Sequence, residues 1–130
     1  MGVKRVFWVL CLLLLSIPIL AAGCQNKQEL EILPAPIHEV MVSFAESYPV
    51  QILVYIKGGL PDGCTTFHSL TVEQSGNTVN IEVTNQRPKG AICTQVYGYF
   101  EQNVNLGSKF TSGETYQIVV NDKTASFVMP

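Results

Sequence analysis

Few side chains in this sequence have types and spacings that could do chemistry. There are 4 cysteines (Cys11, Cys24, Cys64 and Cys93) and 2 histidines (His38 and His68). A two-cysteine metal site would need histidines at ligand spacing, and neither C-x-x-C nor H-x-x-x-H occurs. Cys64 and Cys93, with 28 residues between them, read instead as a disulfide, worth roughly 3 kcal/mol for a loop of that size. Hydrolysis needs a nucleophile with a positioned base. No G-x-S-x-G elbow is present, and strand alternation sends Ser69 to the face opposite His68. An enzyme or zinc site would have to gather His38 and His68 with Asp62 or Glu39; otherwise both histidines are exposed strand residues. Glu73 and Glu82 face each other across a hairpin in this reading, a pairing that glycosidases use but that an exposed sheet also shows as plain solvated charge. Asp62 has no D-x-D-x-D-G series around it, so it does not open a calcium loop. The expectation is therefore no catalytic residue, no metal and no cofactor. What remains are candidate binding residues: Tyr97, Tyr99 and Phe100, with Asp62 in a nearby loop. Alternation puts Tyr97 and Tyr99 on one face. That face is either core or a surface stripe suited to recognition.

The elements that must carry these residues read as short strands. From Ile37 onward, β-branched and aromatic runs alternate with turn clusters, and no window keeps a helical period. Strands are expected over residues 37–44 and 50–57, the second with Val50, Ile52, Val54 and Ile56 on one face. The glycines, Pro61 and the Asp-Gly pair of residues 58–63 predict a loop. Residues 66–74 and 78–84 predict a hairpin across a three-residue Ser75-Gly76-Asn77 loop. Its faces carry Leu70 and Val72 on one strand, and Val79, Ile81 and Val83 on the other. Residues 85–90 read as a polar break, with Pro88 and Gly90 ending the pairing. Residues 92–106 hold one long or two short strands, with Gly98 as a bulge or kink. A last hairpin joins 115–120 to 124–128 across Asn121-Asp122-Lys123. Seven or eight strands in this span predict an all-β antiparallel sandwich, with a small barrel as the competitor.

The N-terminal part is different. Residues 2–5 read GVKR, and residues 6–23 read VFWVLCLLLLSIPILAAG without a charge. A basic start, an apolar run and a small-residue exit form the layout of a secretory signal peptide. An uncleaved transmembrane helix is the alternative, since 18 apolar residues just span a bilayer. Residues 25–36, QNKQELEILPAP, read as a tether, with a short strand over 30–33 as the alternative. The expected organisation is a signal peptide over 1–23, a cysteine and tether over 24–36, and the sandwich domain over 37–130. The exported part carries 6 basic against 10 acidic residues, a net charge of −4. No lysine or arginine run exists, so nucleic acid is not an expected partner.

Leu20-Ala21-Ala22-Gly23-Cys24 resembles the lipobox of bacterial lipoproteins. The resemblance departs from the commonest pattern by placing Ala21, not leucine, three positions before the cysteine. It implies that the Cys24 thiol receives a diacylglycerol and that cleavage precedes it. It further implies a lipid-anchored protein of the cell envelope, outside the cytoplasm. The count of cysteines agrees. Cys11 leaves with the signal peptide and Cys24 carries lipid, so Cys64 and Cys93 remain to pair in an oxidising compartment. Gly113-Glu114-Thr115-Tyr116-Gln117-Ile118-Val119-Val120-Asn121 is similar to the G-x-Y-x-V-x-V-N strand of bacterial immunoglobulin-like domains, where the tyrosine plugs one end of the sandwich. Leu60-Pro61-Asp62-Gly63-Cys64, Gly76-Asn77-x-Val79 and Ala91-x-Cys93 resemble a group of small exported bacterial proteins of uncharacterised function. Trp8, the only tryptophan, lies in the signal segment, so no core tryptophan packs on a disulfide as in antibody domains. These likenesses imply a membrane-anchored, immunoglobulin-like binding or structural domain, with an envelope or extracellular protein or a glycan as ligand. The alternative is a small envelope protease inhibitor or chaperone-like module using the loop at residues 58–65.

Overall fold

The computed structural model describes Gly23 and residues 26–130; the signal segment, Cys11 and Cys24 lie outside the described residues. Eight strands form two sheets: β1 (Leu30–Pro34), β2 (Ile37–Ala45), β3 (Gln51–Leu60), β4 (Thr66–Ser75), β5 (Thr78–Pro88), β6 (Gly98–Gly107), β7 (Thr115–Val120) and β8 (Lys123–Val128). One sheet has the order β2-β3-β6, antiparallel throughout. The other is built on β5. Along one flank β5 pairs with β4. Along the other it pairs first with β7, in parallel from Thr78 to Ile81, and then with β1, antiparallel from Thr84 to Pro88. β8 closes that sheet beyond β7.

Alternation builds the core. Ile52, Val54 and Ile56 of β3 meet Val79, Ile81 and Val83 of β5 and Ile118 and Val120 of β7, all buried. Branched side chains on facing pleats fill the space between two sheets with little loss of rotamer freedom. Where β5 exchanges β7 for β1, Val83 has no strand partner on that flank. Asn121 supplies one: its Oδ1 accepts from Val83 N at 2.9 Å, and its Nδ2 donates to Val83 O at 2.9 Å and to Ala35 O at 2.8 Å. Asn121 sits at φ 50°, a left-handed conformation that asparagine tolerates better than most residues. One turn side chain thus completes a ladder that two strands leave open. The expected plug is also present. Tyr116 is only 5% exposed, its hydroxyl accepts from Thr111 N at 2.9 Å, and its ring packs with Phe110 and Phe127.

Several boundaries differ from the sequence reading, each for a physical reason. Residues 30–34, assigned to the tether, are strand β1, paired with Thr84–Pro88. For the same reason residues 85–88 continue β5 and do not break it. Gly58 and Gly59, read as loop, lie inside β3. A Cβ on Gly58 would overlap the Phe100 ring, and one on Gly59 would overlap the Tyr97 hydroxyl and the His38 ring. These glycines mark close approach of rings to the backbone, the other use of glycine in a strand. The β4–β5 turn has two residues, Gly76 and Asn77, since Ser75 pairs with Thr78. Val72 is exposed, unlike the buried Val79, Ile81 and Val83 across from it.

Candidate functional site

Cys64 and Cys93 are disulfide-bonded, with Cα atoms 5.6 Å apart. Neither opens a strand. The bond joins the β3–β4 loop to the β5–β6 segment at one end of the sandwich. Gly63 N donates to Thr94 O at 2.8 Å beside it. Asp62 is fully engaged in this clamp. Its Oδ1 accepts from Cys64 N, Thr65 N and Thr65 Oγ1 at 3.0, 3.0 and 2.8 Å, and its Oδ2 pairs with Arg87 at 3.0 Å. The Thr65 hydroxyl, with the Cys64 and Thr65 amides and the Arg87 charge, holds the Asp62 carboxyl below its ordinary range. This carboxylate therefore fixes the loop. Cys64, Cys93 and Asp62 also come close enough to suggest a metal site, but both sulfurs are bonded to each other.

The aromatic candidates divide. Phe100 turns inward, tilted against Phe67 at 5.2 Å between centroids and lying over Gly58. Tyr97 and Tyr99 turn outward, 43% and 57% exposed. They meet each other at 5.3 Å, and both meet His38, at 5.7 and 5.4 Å, always edge to face. His38 Nε2 and the Tyr97 hydroxyl share a hydrogen bond of 2.6 Å. The Lys57 ammonium lies 4.7 Å from the centre of the Tyr99 ring, a cation–π contact.

Three local features assemble this cluster. A register shift at His38, between the pairings of Ile37 and Glu39, turns the histidine toward the outer face. Gly59, opposite Tyr99 in the β3–β6 ladder, leaves the floor bare so that the Tyr97 and His38 rings can rest on the backbone. The disulfide holds the segment from which Tyr97 returns over the sheet.

Below the rings, Glu39, Lys57 and Glu101 form one cross-strand row, and Met41, Tyr55 and Asn103 the next. Tyr55 donates to Glu101 Oε1 at 2.7 Å. That hydrogen bond, then partial desolvation and the Glu101 and Glu39 charges, push the Tyr55 hydroxyl up to about 12. It remains a proton donor at every neutral pH. The face as a whole offers ring surfaces, tyrosine hydroxyls, an ammonium and two carboxylates on one three-stranded sheet. Side chains of these types can stack on a partner and hydrogen-bond to it.

The other expectations fall elsewhere. His68 sits at a second register shift, between Phe67 and Ser69. The shift defeats alternation, so His68 Nδ1 and Ser69 Oγ both reach Thr84 Oγ1, at 3.0 and 2.8 Å. His38 and His68 stand on different sheets and are not brought together. Glu73 pairs with Asn80, and Glu82 with Thr71, so the two carboxylates are not directly opposed. Two clefts, of about 540 and 260 Å³, lie beside Pro34 and Pro36, and neither is lined by a histidine. His38, Lys57 and Gly59 were missed as site residues. The only signal for them is Gly58-Gly59 inside an otherwise apolar run, which is as typical of a turn as of a ring laid on a strand.

Residues 54–129 match the model of the ORF11 beta-sandwich domain. The chain belongs to the ORF11 beta-sandwich family. Its relatives include an uncharacterized 10.2 kDa protein in the HgiCIIM 5′ region of Herpetosiphon aurantiacus, 44% identical over 86 residues, covering 66% of this chain and 90% of the relative. Another from the same organism, in the HgiBIM 5′ region, is 46% identical over 76 residues, covering 58% of this chain and 92% of the relative. No solved structure matches. The ORF11 match begins within β3 and runs through β8, so it takes in Lys57, Gly59, Tyr97 and Tyr99 but not His38.

Proposed function

We propose that this protein is an extracytoplasmic lipoprotein, anchored to a membrane through Cys24, whose immunoglobulin-like sandwich binds an envelope or extracellular partner through the outer face of β2-β3-β6. The observation that carries the binding assignment is the ring cluster of Tyr97, Tyr99 and His38. Exposed rings that are locked in place, by the 2.6 Å His38–Tyr97 hydrogen bond and by a bare glycine floor, lose little entropy on binding. They also belong to the residue types that dominate contact energy in recognition surfaces. The anchor rests on the lipobox-like sequence and on the cysteine count, which leaves Cys64 and Cys93 to form the disulfide observed.

A photo-crosslinking amino acid placed at Tyr99 in the full-length protein, expressed in a bacterial host, tests the binding face. Thr71, on β4 of the other sheet, serves as the control position. A discrete adduct from Tyr99 that is absent from Thr71 supports recognition by this face. Equal labelling at both positions, or none at either, would assign the domain a structural role.

A further inference from the structure

The exposed apolar residues are not spread evenly over the sandwich. Of the 12 large hydrophobic residues that are exposed among the described residues, seven lie on β1 or in the segment 92–99: Leu30, Ile32, Leu33, Ile92, Val96, Tyr97 and Tyr99. Ile92 is 102% exposed and Val96 69%. They are not on a slack loop. Their segment is tied by the Cys64–Cys93 bond, by Gly63 N to Thr94 O, and by Arg87 Nη2 to Cys93 Sγ at 3.6 Å. An isoleucine held fully in water at a fixed position contributes nothing to folding.

The chain enters the domain at this same end. Leu30 pairs with Pro88. Immediately before it, Glu29 O accepts from Lys89 N at 2.8 Å and the Glu29 carboxylate meets Lys89 Nζ at 3.1 Å. Five residue steps separate Cys24 from Glu29, which span at most about 17 Å fully extended. Strand β1 thus removes most of the 24–36 spacer. An acyl group on Cys24 would leave the Glu29–Lys89 junction within that distance of the bilayer. Residues 86–97, QRPKGAICTQVY, contain no carboxylate to desolvate.

We infer that this end of the sandwich docks on the membrane itself, with Ile92, Val96 and Leu30 entering the lipid interface and Lys89 at headgroup level. An interfacial segment buries its apolar side roughly 5–10 Å deep, within reach of the allowed spacer. Tyr97 and Tyr99 lie just above, an amphipathic ring type favoured where one end is apolar and the other wet. The inference rests on the lipid anchor, and it sets the β2-β3-β6 face upright beside the membrane, turned toward partners at its surface.

The test uses the full chain, processed in a bacterial host and reconstituted into phosphatidylcholine–phosphatidylglycerol vesicles with and without brominated acyl chains. Ile92→Trp introduces the reporter at a position where nothing packs. Tyr48→Trp, in the β2–β3 loop at the far end and equally exposed, is the control. The expected result is blue-shifted Ile92→Trp emission that brominated lipid quenches, with Tyr48→Trp unshifted and unquenched. Water-like, unquenched emission from vesicle-bound Ile92→Trp would overturn docking while leaving the anchor intact. A blue shift without bromine quenching would overturn it in favour of contact between two copies of the chain. Protein that carries no acyl mass and floats free of vesicles would instead overturn the anchor reading, and docking with it.

Discussion

Tyr116 and Tyr97 each pack a phenol ring against two neighbouring rings, and each has its hydroxyl in one short hydrogen bond, yet they are differently placed. Tyr116 closes the space between the sheets, packs on Phe110 and Phe127, and bonds a backbone amide within its own turn. Tyr97 lies on the outside of a sheet that is already complete, and bonds a side chain from a strand 59 residues away. Removing Tyr116 opens a cavity in the core; removing Tyr97 uncovers Gly59 and the sides of the His38 and Tyr99 rings. The same residue type thus contributes to stability in one place and to surface shape in the other. Burial decides which.

Substitutions can break or sharpen that contrast. Tyr116→Ala is expected to cost about 3–5 kcal/mol, the range for emptying a large aromatic site, and to lower the denaturant midpoint accordingly. Tyr97→Ala should cost about 1 kcal/mol or less, as surface changes do; comparable losses for the two would erase the distinction. Cys64→Ser with Cys93→Ser should cost roughly 3 kcal/mol and loosen the segment that carries Tyr97, seen as faster amide exchange over residues 89–97. Gly59→Ala should cost about 1–3 kcal/mol through overpacking and shift the His38 ring resonances. Gly98→Ala, where a Cβ would meet only the Leu60 side chain at ordinary contact distance, should leave those resonances in place.

The smallest effect expected is acid sensitivity of the loop. The Asp62 carboxyl titrates below its ordinary range in the folded protein, so its stabilising contribution is fully present above that range and is lost as pH falls through the depressed value. Amide exchange of Cys64 and Thr65 should accelerate in acid, below about pH 4, and Asp62→Asn should remove that dependence.

What could be read from the sequence follows the same divide between burial and surface. The alternating Ile and Val positions of β3, β5 and β7 declared themselves because apolar alternation is imposed by the core, and Tyr116 as a plug was implied by the resemblance to immunoglobulin-like domains. Asn121 was legible as a turn residue but not as the partner of Val83, which depends on two strands sharing one flank of β5. β1 was legible only as the alternative to a tether, and the end of β5 read as a break because its positions include Asn85 and Arg87, polar residues that give no apolar alternation. Gly58 and Gly59 looked like a turn because the rings that cover them lie some 40 residues further along the chain. Both histidines are exposed strand residues, as one reading had them, but the neighbours they face were not legible: a bulge shifts side-chain direction by one residue, and nothing in the local sequence announces it.

The proposed anchoring depends first on what Cys24 carries. Intact mass spectrometry of the protein extracted from a bacterial membrane fraction, before and after reduction, tests this most directly. The predicted result is a chain beginning at Cys24, heavier by its acyl groups, that gains two hydrogens on reduction as the Cys64–Cys93 bond opens. An unacylated chain still beginning at Met1 would contradict the account, replacing the lipid anchor with a retained apolar segment and leaving Cys24 as an unexplained thiol.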